Sequence, residues 1–141
     1  MSSVIILTLA ATGSLAVFRI MQKIAGININ PVWGVFFIYL GALISLALYF
    51  LVKPVVPVFD PAFKKGALIA LLSGIFIVIF DLMALTVYQK GGNISFFTPI
   101  VNGGSILIVA LVAILFLRES LNLTQFLSIL AITGGIFFLT K

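Results

Sequence analysis

Five apolar runs, each about as long as a bilayer is thick, divide this chain almost end to end and leave little else. They cover residues 4–24, 31–52, 66–89, 95–117 and 123–140. Each approaches the roughly 20 residues that cross about 30 Å of hydrocarbon at 1.5 Å per residue. The runs are continuous rather than alternating, which excludes a transmembrane β-barrel. Hydrophobic residues make up 63% of the 141 positions and charged residues 8%, with a mean hydropathy of +1.39. A soluble domain could not hide that much apolar surface, so lipid is the expected solvent. The expected fold is an all-α integral membrane protein: one domain of five transmembrane helices over residues 1–141.

Local signals punctuate the runs. Met1-Ser2-Ser3 has no basic character, and the first run outlasts a signal-peptide core, so a retained first helix is expected. It should end before the stretch from Gly26 to Asn30. Asn30 then serves as an N-cap with Pro31 in the first turn, where no amide donor is needed. The second helix stops at Lys53-Pro54, and three prolines make Lys53 to Lys65 the longest polar connection. Lys90-Gly91-Gly92-Asn93 is a C-terminal stop. Asn122 and Gln125 have the spacing of a capping box for the fifth helix. Trp33, Tyr49 and Tyr88 lie near span ends, where aromatic side chains anchor to the membrane interface.

The cations carry a topological message. An odd number of spans puts the termini on opposite sides. Lys53, Lys64, Lys65 and Arg118 fall on the N-terminal side; Arg19, Lys23, Lys90 and Lys141 fall on the other. An even split gives the positive-inside rule nothing to choose between. It fits a chain inserted in both orientations. Discounting Arg19 and Lys141 instead would leave the Lys53–Lys65 side cytoplasmic. The basic residues sit singly at the ends of apolar runs, so no nucleic-acid partner is expected and the lipid bilayer is. With no Cys and no His, thiol chemistry, the usual zinc ligands and an imidazole shuttle are excluded. No acid–base pair, nucleophile or phosphate loop is present, so neither an enzyme nor a cofactor or metal is expected.

Asp81 is the first candidate functional residue. It would lie about 5 Å along the axis from the centre of the third run, and intramembrane acids face the bundle or a wet cavity. Gly74, Ala84 and Tyr88 share its face. A carboxyl group there suits proton uptake and release; the alternative is a structural acid paired with Arg19. Thr8, Thr12, Ala16, Arg19 and Lys23 form a polar stripe on the first helix. The threonine hydroxyls could equally bond their own helix, and Arg19 could snorkel to headgroups. A cation and an acid facing one cavity could bind a zwitterion, or neutralise each other. In the fourth run Pro99 removes a backbone bond and Gly103-Gly104 loosens the next turn, a candidate hinge that offers Asn102 as a ligand donor. The alternative is a kink packed on a neighbour. Ser128, Ala131 and Gly135 form a small-residue face suited to helix packing, and Gly34, Gly41 and Ser45 form another.

From Phe80-Asp-Leu-Met-Ala84 through Lys90, the chain resembles the third helix of the EamA-type half of the drug/metabolite transporter superfamily. Pro99 early in the fourth helix, Leu117-Arg118-Glu119 after it, Leu123-Thr124 and Gly134-Gly135 follow in that family's order, and Gly13 to Lys23 is similar to its first helix. Arg118 stands where the family has Gly, Gly103-Gly104 where it often has a second Pro, and Asp81 is not part of its signature. The resemblance implies a structural role for Glu119 and one five-helix inverted-repeat unit, which larger members fuse in opposite orientations. It further implies a small secondary transporter in a bacterial or archaeal inner membrane, working as an antiparallel homodimer. In that picture Asp81 binds the coupling proton or a cationic group, Thr12, Arg19, Asn102 and Tyr88 line the cavity, and the fifth-helix face holds the dimer. The competing expectation is a non-transporting membrane subunit, or a lipid flippase component, that pairs with another five-helix protein. There Asp81 and Arg19 would be an assembly pair.

Overall fold

The computed structural model describes residues 2–54, 61–116 and 122–139, all of them in helices or the short segments beside them. The helices are α1 (Ser2–Asn28), α2 (Pro31–Val52), α3 (Pro61–Gln89), α4 (Ile94–Phe116) and α5 (Leu123–Leu139). The first four are long and apolar enough to cross a membrane, whereas the described part of α5 is a shorter apolar helix of 17 residues. Arg118, Glu119 and Lys141, which entered the charge count and the family resemblance, lie outside the described residues, as does most of the connection after Pro54.

Several local signals act as expected. The Asn30 side chain accepts from the Val32 amide at 2.9 Å with Pro31 opening α2. Gly91 adopts a left-handed φ of 86° and its amide reaches the Tyr88 carbonyl at 3.1 Å, which ends α3. Asn122 and Gln125 exchange side-chain-to-backbone bonds of 2.9 and 2.8 Å ahead of α5.

Two boundaries differ from expectation. α1 continues through Gly26 to Asn28, because Gly26 is a packing residue rather than a stop. The described part of α3 is already helical at Pro61, five residues before the expected start, and proline is well suited to a first helical turn. Lys64 and Lys65 therefore ride on exposed helix. The longer α3 also moves Asp81 to about 9 Å from its midpoint.

The chain forms two compact units, residues 1–91 and 92–141. In the first, a face of α3 made of Asp81, Ala84, Leu85 and Tyr88 is buried, at the spacing of one helical stripe. Gln22 bonds Asp81, and one turn further along both helices Gly26 touches Leu85, so α1 and α3 run parallel. Tyr39 bonds Asp81 while Gly34 touches Leu85; a step forward in α3 is a step back in α2, so these two are antiparallel. Leu85 is wedged between the two glycines. A methyl group on Gly26 would lie 3.1 Å from the Leu85 carbonyl oxygen and from Tyr88 Cβ, and one on Gly34 would lie 2.8 Å from Leu85 Cδ1. Away from this junction burial stops: residues 3–17 of α1 and 40–52 of α2 are exposed throughout.

In the second unit, α4 and α5 meet at Gly103, where an added methyl group would collide with Ile136 Cδ1 and crowd Ile132 Cγ2. α4 is helical without interruption through Pro99 and the glycine pair, so it is not a broken helix in this conformation. Gly103 is the packing glycine of the pair, and Gly104 faces open space.

The wedge makes a stability prediction. Gly26→Leu should cost about 1–3 kcal/mol through overpacking, read as a lower unfolding midpoint in detergent. Gly13→Ala, where a methyl group meets nothing within 4 Å, should cause no loss.

Candidate functional site

At the junction of α1, α2 and α3 four polar side chains form a continuous chain. Arg19 Nη1 donates to Gln22 Oε1 at 2.9 Å. Gln22 Nε2 donates to Asp81 Oδ1 at 2.7 Å. The Tyr39 hydroxyl donates to Asp81 Oδ2 at 2.9 Å. Arg19, Gln22 and Asp81 are only 9%, 1% and 2% exposed.

The chemistry of this chain follows from its charges. A carboxylate out of water is costly unless each oxygen is bonded and the charge is balanced. Here both oxygens accept a bond, and Arg19 supplies the balancing charge through one intervening amide. The amide's orientation is set from both sides, oxygen toward the cation and nitrogen toward the anion. The guanidinium carbon also stands 4.5 Å above the Phe80 ring and 5.6 Å from the Phe18 ring, a cation–π clamp. Arg19 therefore points into the helix junction instead of snorkelling.

Each helix supplies its part by simple spacing. Arg19, Gln22 and Gly26 share one side of α1, so the ion partners and the close-packing glycine arrive together. Phe80 precedes Asp81 on α3 and covers the guanidinium from beside the acid. Next to the junction, a groove of about 650 Å³ runs between α1 and α2, walled by Phe18, Met21, Phe37, Ile38 and Ala42, with Gln22 also in its lining.

Of the residues singled out in the sequence, Asp81 and Arg19 come together, linked by Gln22 rather than directly. Tyr88 is buried on the Asp81 face two turns along α3, beneath Gly26. Thr12 is exposed, and its hydroxyl donates to the Thr8 carbonyl at 2.9 Å, as Thr8 does to Val4. Asn102 is half-buried on α4 in the other unit, beside Pro99, Gly103 and Gly104. Ser128, Ala131 and Gly135 are exposed on α5, whose contact with Gly103 of α4 is made by Ile132 and Ile136.

Sequence reasoning missed Gln22 and Tyr39. Gln22 stands three residues after Arg19 within the same polar stripe, a signal that was present. Tyr39 lies well inside α2, where a phenol hydroxyl removed from the interface calls for a partner.

No protein-family model, curated protein or solved structure matches this chain.

A thermodynamic cycle tests the coupling of the charges. Asp81→Asn and Arg19→Met should each destabilise the protein by about 3–5 kcal/mol, since each leaves one buried charge uncompensated. The double variant should recover part of that loss, with a coupling of about 0.5–3 kcal/mol. Unfolding of all three variants in one detergent measures it; strictly additive losses would deny the coupling.

Proposed function

We propose that this chain is a five-span membrane protein and a small secondary transporter, moving a small metabolite or drug-like solute by proton-coupled alternating access. The observation that carries this reading is Asp81: a buried acid holding three helices together and bonded to Gln22, which lines an open groove. Protonating it would remove the charge that Arg19 balances. It would also convert one oxygen from an acceptor to a donor, so the carboxyl could no longer accept from Gln22 and Tyr39 on the same terms. Proton uptake then loosens the contact between α3 and α2, the helix that forms one wall of the groove. Coupling a proton to helix separation is the step an alternating-access transporter needs. Within the second unit, Pro99 and Gly104, where an added methyl group would meet nothing within 4 Å, are the candidate hinge of α4 in such a cycle.

An antiparallel homodimer is part of the proposal. It is supported by the even division of cations in the sequence and by the exposed apolar lengths of α1 and α2 beyond the junction. The exposed face of Ser128, Ala131 and Gly135 suits close packing with a second copy. The resemblance to the EamA-type half-transporter points the same way. A second reading has its own support: because Arg19 balances Asp81 within one chain, the pair could serve assembly alone, in a subunit or flippase component joined to another five-helix protein.

Two measurements test the proposal. In proteoliposomes containing a pH-sensitive dye, a panel of small solutes should include some that drive proton flux, and Asp81→Asn should abolish that flux. Flux undiminished in the variant would remove Asp81 from coupling. For topology, reporters active on opposite sides of the membrane and fused at the C-terminus should both give signal. Strong signal from one alone would end the dual-orientation dimer.

A further inference from the structure

We infer that the Gln22 amide occupies the seat of a ligand, and that the ligand is a small zwitterion with an apolar tail, of the type of a hydrophobic α-amino acid. The inference deepens the transport reading and rests on its placing of Asp81 at the working site, adding solute binding to proton coupling there.

The amide has the polarity of such a head group. Its oxygen takes the Arg19 donor at 2.9 Å and its nitrogen gives to Asp81 at 2.7 Å. A carboxylate and an ammonium on neighbouring atoms would satisfy the same two partners in the same order. They would do so with charge on both sides of each bond, and charge-assisted bonds are about twice as strong as neutral ones. Gln22 is also the residue able to leave. It lies on a flexible stem and forms part of the groove wall, so its side chain can swing aside as a head group arrives. Apart from Ser45, the rest of that wall is apolar, with Phe18, Met21, Phe37, Ile38 and Ala42 its larger part, and this is the surface an aliphatic tail would fill.

The same arrangement rejects half-matching solutes. A lone amine would pair with Asp81 and leave Arg19 facing a like charge. A lone carboxylate would pair with Arg19 and be set against Asp81. In a dry junction each mismatch leaves a buried charge unpaired. Selectivity for the zwitterion follows from keeping both charges in place and separated by a single amide.

The test is equilibrium binding of tritiated L-leucine to the full chain purified in detergent, which requires no transport. Binding should be saturable and displaced by unlabelled leucine. 4-Methylpentanoate, which lacks the ammonium, and 3-methylbutylamine, which lacks the carboxylate, should compete at least tenfold less well. Gln22→Ala removes the resident amide, and apparent affinity should rise about tenfold if the seat is open about one-tenth of the time in the native protein. Gln22→Glu fills the seat with a carboxylate beside Arg19 and should abolish binding. A folded, monodisperse Gln22→Ala protein that binds no leucine would overturn the inference, as would equal competition by the amine. Leucine binding absent while other solutes drive Asp81-dependent proton flux would sink this inference alone. Leucine binding present without any flux would sink the transport reading alone.

Discussion

A carboxylate inside an apolar bundle has to be satisfied by the chain that carries it, and Asp81 imposes that demand on all three helices of the first unit. Its two oxygens take one bond from α1 and one from α2. Such bonds tolerate only a few tenths of an ångström before they weaken, so they set where α1 and α2 stand along α3. The wedge of Leu85 between Gly26 and Gly34, one turn further on, then holds that register by shape. Polar bonding and close packing are thus adjacent and mutually dependent. Sliding either neighbour by a turn would strand a charge and drive a leucine into backbone. This explains why burial gathers around Asp81 while the distant lengths of α1 and α2 remain exposed.

What the sequence made legible was what depends on near neighbours or on large penalties. The Asn30 cap, the Gly91 stop and the Asn122–Gln125 box each involve residues within four positions, so spacing alone reveals them. Asp81 and Arg19 stood out because a charge in an apolar run is costly wherever the helix packs. Gln22 and Tyr39 did not, because an amide or a phenol is cheap enough to occur in such a run for many reasons. Their importance depends on which faces of α1 and α2 turn toward α3, and that choice is tertiary. Gly26 was misjudged on the same ground. A glycine near a helix end is a stop signal locally, but here the approach of Leu85 and Tyr88 gives it a reason to remain helical. Pro61 reversed the argument: a proline read as part of a polar connection lies in the first turn of the described α3.

The interposed amide has a mechanical meaning that a direct ion pair would lack. An arginine and a carboxylate in contact form a fork with two parallel bonds, strong and hard to open in a low dielectric. Threading the charges through Gln22 divides that interaction into separate links, Arg19 to Gln22 and Gln22 to Asp81, with Tyr39 as an independent third. Separate links can break one at a time, each at a fraction of the cost of separating a closed pair. Meanwhile Arg19 rests on the Phe80 and Phe18 rings, which keep the cation in place when its amide partner departs. A junction made this way is strong enough to define the arrangement of three helices and is divided into links that can open separately. Under the transport proposal, those are the properties required of the element that must open and close. On that proposal stability and function draw on the same atoms, and a direct Arg19–Asp81 contact would gain the one at the expense of the other.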